Sequence, residues 1–162
     1  MSSDTNLEII NHCTMEIASC AINNELRNQL KDQCYDVIAC MHEAHNDLGP
    51  GMPEYIYQEA LDMVLKEHGF SPEKEYQHHP IFHGQEMKAH IRLDLMVPTE
   101  GGNIIVECKA LTEITSREQY QLFAYLRATE FPIGILVNFG TWPKAQIQRF
   151  YYDKDAKTIQ PF

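Results

Sequence analysis

The chain has 162 residues, 44% hydrophobic and 22% charged, which is typical of one globular domain large enough to build its own core. Its formal net charge of -10 argues against binding nucleic acid through charge alone, because that affinity comes mainly from Lys and Arg at phosphates. No apolar run approaches the roughly 20 residues that cross a bilayer, and the first residues lack a basic, apolar leader. We therefore expect a cytoplasmic protein without membrane contact.

Two helices are predicted in the first 48 residues. Apolar residues recur at three-to-four spacing over residues 1–23, Asn23-Asn24 interrupts the pattern, and a longer helix is predicted from Glu25 to Asp47. We accordingly divide the chain into an N-terminal helical extension, residues 1–24, and a main domain, residues 25–162. The apolar stripe predicted for the longer helix consists of Leu26, Leu30, Val37, Met41, Ala44 and Leu48.

The next helix is predicted to begin near Pro53-Glu54 and to end at Gly69, because Pro favours the first turn and Gly the position after the last. A strand around Glu75–Phe82 and a turn at residues 83–85 follow. His78, His79 and His83 in this region match no strong zinc spacing, so we interpret them as exposed strand and turn residues.

The central stretch RLDLMVPTEGGNIIVECKA predicts two strands, 92–97 and 104–110, around a turn rich in Pro and Gly. Side chains alternate along a strand, so Glu107 and Lys109 share the face opposite Cys108. On the first strand, Leu93, Leu95 and Val97 are expected to face away from Asp94. If the strands pair as a hairpin, Asp94 lies close to Glu107 and Lys109.

After the hairpin, a helix is predicted over 117–129 and a strand buried on both faces over 133–139. The tail is predicted to form an edge hairpin at 149–153 and 158–160. This order of elements predicts a single α/β domain with a central mixed sheet flanked by helices.

Asp94, Glu107 and Lys109 are the main chemical candidates. Carboxylates on adjacent strands can ligate Mg²⁺, and the lysine can stabilise an attacking water or help to deprotonate it. The same three residues also fit an ordinary ion pair on a sheet face, because two carboxylates and an ammonium among apolar strands are costly unless paired or bound to metal. The pattern by itself leaves both interpretations open.

Three further residues have a functional and a structural interpretation. Glu54 opens a helix, where a carboxylate is favoured by the helix dipole whatever its role. Gln121 and Tyr125 lie four residues apart and share a helix face that could touch a substrate or simply pack. The chain has no GxSxG nucleophile elbow, no phosphate-binding GxxxxGK[ST] loop and no GxGxxG fingerprint.

Taken together, several patterns in one order resemble the GxxExxY proteins, a branch of the PD-(D/E)XK nuclease superfamily. They are GMPEYIY at 51–57, RLDLMV at 92–97, IIVECKA at 104–110, QLFAY at 121–125 and GILVNFG at 134–140. The resemblance implies a restriction-endonuclease-like core with a central mixed β-sheet flanked by helices, here with an extra N-terminal helix.

The resemblance also implies roles for the candidate residues. Asp94, Glu107, Glu54 and the backbone carbonyl of Cys108 would ligate Mg²⁺ or Mn²⁺, and Lys109 would be the catalytic base or electrostatic stabiliser. The helix residues Gln121 and Tyr125 would contact the substrate.

The implied activity is metal-dependent hydrolysis of phosphodiester bonds in DNA or RNA, with DNA favoured. The alternative is a catalytically silent nuclease-like module that acts through protein-protein interaction, which the acidic charge favours. A second copy of the chain and another protein are both left open as partners.

Overall fold

The fold is that of a computed structural model, which describes the backbone of residues 4–162 and the side chains of Glu25 and residues 27–162. The helices are α1 (Asp4–Leu48), α2 (Glu54–Glu67) and α3 (Ser116–Thr129). The strands are β1 (Glu73–His78), β2 (Ile81–Phe82), β3 (Gln85–Glu86), β4 (Ile91–Val97), β5 (Ile104–Lys109), β6 (Ile133–Asn138), β7 (Gln146–Asp153) and β8 (Thr158–Pro161). None of the helices within the described residues is both long and apolar enough to cross a membrane.

Six strands form one mixed sheet in the order β1-β4-β5-β6-β7-β8. β5 and β6 run parallel, and every other neighbouring pair is antiparallel. Two parallel neighbours need a crossover, which α3 supplies between β5 and β6. The predicted α/β class with a mixed sheet is therefore confirmed.

The sheet separates two hydrophobic cores. α1 and α2 cover one face, and the core between them and the sheet includes Leu30, Met41, Leu61, Val106 and Val137. α3 covers the other face, where Leu122 and Leu126 pack against the opposite side chains of the same strands. Every residue of β6 is buried, as predicted for a strand covered on both faces.

Two predicted boundaries are wrong. The helix α1 runs through Asn23-Asn24 without a break, because an Asn inside a helix costs only about 0.7 kcal/mol relative to Ala. The predicted strand 75–82 is instead β1, which ends at His78, followed by the small hairpin of β2 and β3. Pro80 lacks an N–H group and cannot continue the ladder.

The predicted apolar stripe of the longer helix is buried at Leu30, Val37, Met41 and Ala44. The side chain of Leu26 and those of residues 1–24 lie outside the described residues. The division at residue 24 therefore stays a prediction.

A candidate active site where two central strands diverge

The hydrogen-bonded ladder between β4 and β5 ends at the pair Leu95↔Val106. Beyond this pair, backbone N–H groups of the two strands donate to side-chain carboxyl groups and not to backbone carbonyls. The Cys108 N–H donates to Asp94 Oδ2 at 2.9 Å, and the Asp94 N–H donates to Glu107 Oε1 at 3.2 Å. Both carboxylates are therefore held in the gap where the strands diverge.

The face of β4 changes at Asp94. Leu95 and Val97 share a face and pack into the α1/α2 core, but Leu93 packs into the α3 core. The prediction that all three share one face is therefore wrong. On the neighbouring strand β1, Glu75 lies opposite Asp94 with a φ of 52°, so the backbone is irregular on both strands at this point.

Glu107 and Lys109 form a loose ion pair on one face of β5, with Lys109 Nζ 3.7 Å from Glu107 Oε2. Burial, and then the charge of Asp94, raise the pKa of Glu107 from 4.5 to about 8. Burial lowers the pKa of Lys109, but the charges of Glu107, Asp94 and Glu54 outweigh it and raise that pKa overall. Lys109 is therefore an ammonium at neutral pH.

Glu107→Gln is expected to make the metal-free protein more resistant to unfolding at pH 8 than the parent. The native Glu107 carboxyl keeps its proton up to about pH 8, whereas the unfolded chain releases it near 4.5. Between these values the native state binds more protons, so the parent loses stability as pH rises, by up to about 1.4 kcal/mol per pH unit. Glutamine cannot titrate and keeps an oxygen to accept from the Asp94 N–H.

Urea unfolding in EDTA at pH 5, 6.5 and 8 measures this effect. The difference between variant and parent should grow by roughly 2 kcal/mol or more across the series. Glu100→Gln, in the exposed turn between β4 and β5, is the matched control and should follow the parent. Parallel curves for Glu107→Gln and the parent would contradict the assigned pKa.

The helix α2 brings Glu54 and Gln58 to the end of β5. Glu54 is hydrogen-bonded to the backbone of Ala110, and burial raises its pKa. One turn later, the Gln58 side chain is hydrogen-bonded to Asp94. Sequence reasoning missed Gln58, although its spacing of four from Glu54 places both on one helix face.

The helix α3 approaches the site from the other face of the sheet. Its start is fixed by a capping box in which Thr115 and Glu118 satisfy each other's backbone N–H groups. The Gln121 amide donates to the Tyr125 hydroxyl at 3.1 Å. Burial, and then the charge of Glu107, raise the pKa of Tyr125, so its hydroxyl lies within electrostatic range of that carboxyl group.

A depression of about 400 Å³ separates Lys109 from the start of α3. Its walls are Lys109, Leu111, Arg117, Glu118 and Gln121. Sequence reasoning missed Arg117. The sequence feature that could have indicated it is a positively charged residue in the first turn of the helix that follows the strand of Glu107 and Lys109. Lys109 therefore borders open space beside its partner Glu107.

The residues after Lys109 are clamped to the end of β6. The buried amide of Asn138 accepts from the Leu111 N–H at 2.8 Å and donates to the Leu111 carbonyl at 3.0 Å. Its Oδ1 also accepts from the Gly140 N–H at 3.0 Å. These hydrogen bonds of Asn138 fix the end of β5 and therefore the position of Lys109.

The donors in the gap suit a hard divalent cation. Within the described residues, no three His, Cys, Asp or Glu side chains are grouped closely enough to hold a metal by themselves. Mg²⁺ usually binds one or two carboxylates and keeps several waters, which Asp94 and Glu107 can satisfy. The Cys108 N–H points toward β4, and in a strand the carbonyl of the same residue points the same way, so it can add a third oxygen.

The predicted site residues are thus distributed around one place. The structure brings Asp94, Glu107 and Lys109 together and sets Glu54 and Tyr125 within electrostatic range of them. Gln121 lines the adjacent depression, and the Cys108 thiol is buried in the α1/α2 core. His78 and His79 do not take part in this site, and their rings donate to the backbone carbonyls of Ala128 and Met87 respectively.

Comparison with known proteins adds a family match. The model of a family described as PD-(D/E)XK nuclease superfamily matches residues 31–150. Together with the six-stranded mixed sheet, this match confirms the predicted restriction-endonuclease-like fold. No curated protein matches the chain. A solved structure, that of SSO0001, aligns with 23% identity and a TM-score of 0.48 over 63% of this chain and 53% of that one, so this chain matches about half of its length.

Proposed function

This chain belongs to the PD-(D/E)XK nuclease superfamily, and we propose that it is a divalent-metal-dependent nuclease whose active site is formed by Asp94, Glu107 and Lys109. The observation that carries the proposal is the gap between β4 and β5. Two carboxyl groups replace backbone partners there, beside Lys109, which lines an open depression. A purely structural sheet does not need two carboxyl groups and an ammonium at the end of its central ladder.

In this proposal Asp94, Glu107 and the Cys108 carbonyl hold Mg²⁺ or Mn²⁺, and Glu54 completes the acidic set from α2. The bound ion supplies a more acidic water and neutralises charge on the scissile phosphate. Lys109, as an ammonium, contacts a phosphate oxygen and stabilises the negative charge that develops there.

The start of α3 holds the neighbouring part of the substrate backbone. Arg117 lines the depression at this helix start, and its guanidinium is suited to phosphate. Gln121 and Tyr125, further along the same helix, contact the strand next to the cleaved bond.

The Gly51–Tyr57 segment supports the finer assignment to the GxxExxY branch. The buried Tyr57 hydroxyl donates to the Gly49 carbonyl at 2.6 Å and accepts from the Met52 N–H at 3.0 Å. Gly51 adopts a φ of 103°, which favours glycine. Glycine and tyrosine thus shape the turn that presents Glu54 at the start of α2.

Incubation of the full chain with end-labelled DNA and RNA in Mg²⁺, Mn²⁺ or EDTA tests this function. We expect cleavage with either ion and none in EDTA. By calorimetry, Asp94→Asn should bind Mn²⁺ at least about tenfold more weakly than the parent, because a charged oxygen ligand is lost. Absence of both cleavage and metal binding near millimolar concentration would overturn the proposal in favour of a protein-binding module.

A further inference from the structure

Three largely exposed aromatic side chains stand in segments that also build the candidate active site. Trp142 is 73% exposed, Tyr120 67% and Tyr55 65%. Tyr55 directly follows Glu54 on α2, and Tyr120 lies on α3 between Arg117 and Gln121, both of which line the depression. Large rings gain stability by burial, so exposed rings in three segments that build one candidate site indicate a ligand with flat apolar surfaces.

Trp142 belongs to the same edge of the sheet. It follows Gly140, which lies against the backbone of Ala110 and Leu111 just beyond Lys109. Its loop starts at the end of β6, which pairs with the end of β5 through Lys109↔Asn138. The indole therefore stands on the loop next to the strand end that carries the ammonium.

The loop that carries Trp142 is held firmly. The fully buried His45 donates through Nε2 to the Thr141 carbonyl at 2.8 Å. The Thr141 hydroxyl donates to the Lys144 carbonyl at 2.7 Å and accepts from the Gln146 N–H at 3.0 Å. An exposed ring on a fixed loop loses little conformational entropy when a ligand stacks on it.

The few positive charges near the site are poorly suited to binding the closely spaced phosphates of a duplex. Lys109 and Arg117 are the cations of the depression, and they face Glu118 and the acids of the gap within a chain of net charge -10. Duplex DNA carries about one charge per 1.7 Å of its axis and hides the faces of its bases. A single strand has a lower charge density and offers those faces to aromatic side chains.

We propose that the substrate is single-stranded nucleic acid, whose unpaired bases stack on Trp142, Tyr55 and Tyr120 while its backbone crosses Lys109. This inference rests on the proposed function in treating the bound strand as the substrate. Stacking on an aromatic side chain is sequence-tolerant and contributes roughly tenfold in affinity per base. Binding should therefore be only weakly dependent on sequence.

The fluorescence of Trp142 tests the inference directly, because it is the only tryptophan of the chain. The full chain in EDTA is titrated with a 20-nucleotide single strand of DNA, the matching RNA and the DNA duplex. We expect quenching by a single strand with at least about tenfold tighter binding than the duplex. The DNA and RNA arms identify which of the two is preferred.

Labelled-strand anisotropy with variants gives the second readout. Trp142→Ala and Tyr55→Ala should each weaken single-strand binding by roughly tenfold, and Trp142→Phe should recover most of the loss because it restores a ring. Tyr35→Ala, an exposed aromatic of α1 that lies under Arg149, is the matched control and should bind as the parent does.

Duplex binding as tight as single-strand binding, absence of quenching in both arms, or full binding by the alanine variants would overturn the inference. If the chain cuts duplex in Mg²⁺ as fast as single strands, this inference fails and the proposed function stands. If single strands bind through the rings but no metal supports cleavage, the proposed function fails and the stacking surface remains.

Discussion

Lys109→Met is expected to lower metal-dependent cleavage by roughly 10²–10⁴-fold while the fold stays intact. The side chain is 14% exposed, and its ammonium lies 3.7 Å from Glu107. Methionine keeps an unbranched apolar stem of similar length but lacks the charge that would stabilise the developing phosphate oxyanion. Single-turnover cleavage and urea unfolding measure the two halves of this prediction.

Measuring metal affinity distinguishes Lys109→Met from a variant that has lost a metal ligand. Removing a nearby positive charge should leave Mn²⁺ binding unchanged or tighter, whereas Asp94→Asn should lose binding and cleavage together. Lys154→Met, in the turn between β7 and β8, is the matched control because it removes an exposed lysine outside the site. A variant at Lys109 that cuts at the parent's rate would show that its assigned role is wrong.

Gly140→Ala is expected to destabilise the protein by about 3 kcal/mol and to reduce cleavage about a hundredfold. An added Cβ would collide with the Leu111 carbonyl oxygen and would lie 3.0 Å from the Ala110 carbonyl carbon. Both are backbone atoms, so the end of β5 must move and shift Lys109 with it. Urea unfolding and single-turnover cleavage at a temperature where the variant is folded measure the two effects.

Gly84→Ala is the control for replacing a glycine. It lies in the turn between β2 and β3 with a φ of 76°, and an added Cβ meets nothing within 4 Å. Its cost should be limited to backbone strain of about 1 kcal/mol with cleavage unchanged. Equal losses for the two variants would mean that the close approach at Gly140 does not position the site.

The central hairpin was predictable from the local sequence pattern. The sequence predicts strands at residues 92–97 and 104–110, and the structure has Ile91–Val97 and Ile104–Lys109. Alternating apolar residues and a turn rich in Pro and Gly act within a few residues of one another, so the sequence contains both signals. The start of α2 at Glu54 was predictable for the same reason.

Other features of the site depend on contacts between distant segments. Nothing local in RLDLMV indicates that the Cys108 N–H will bond to the Asp94 carboxylate, or that Leu93 will turn to the α3 core. The clamp of Asn138 on Leu111 spans 27 residues and exists only because β5 and β6 pair in parallel across α3.

The sequence by itself determined which acids and which amine lie on the central hairpin, because side-chain alternation and turn chemistry are local properties of the chain. Tertiary structure alone decided that the ladder opens at Asp94, that Gln58 and Arg117 join the site, and that Trp142 stands beside it. These outcomes depend on how α2, α3 and the loop after β6 pack on the sheet, and packing is set by residues far apart in the sequence.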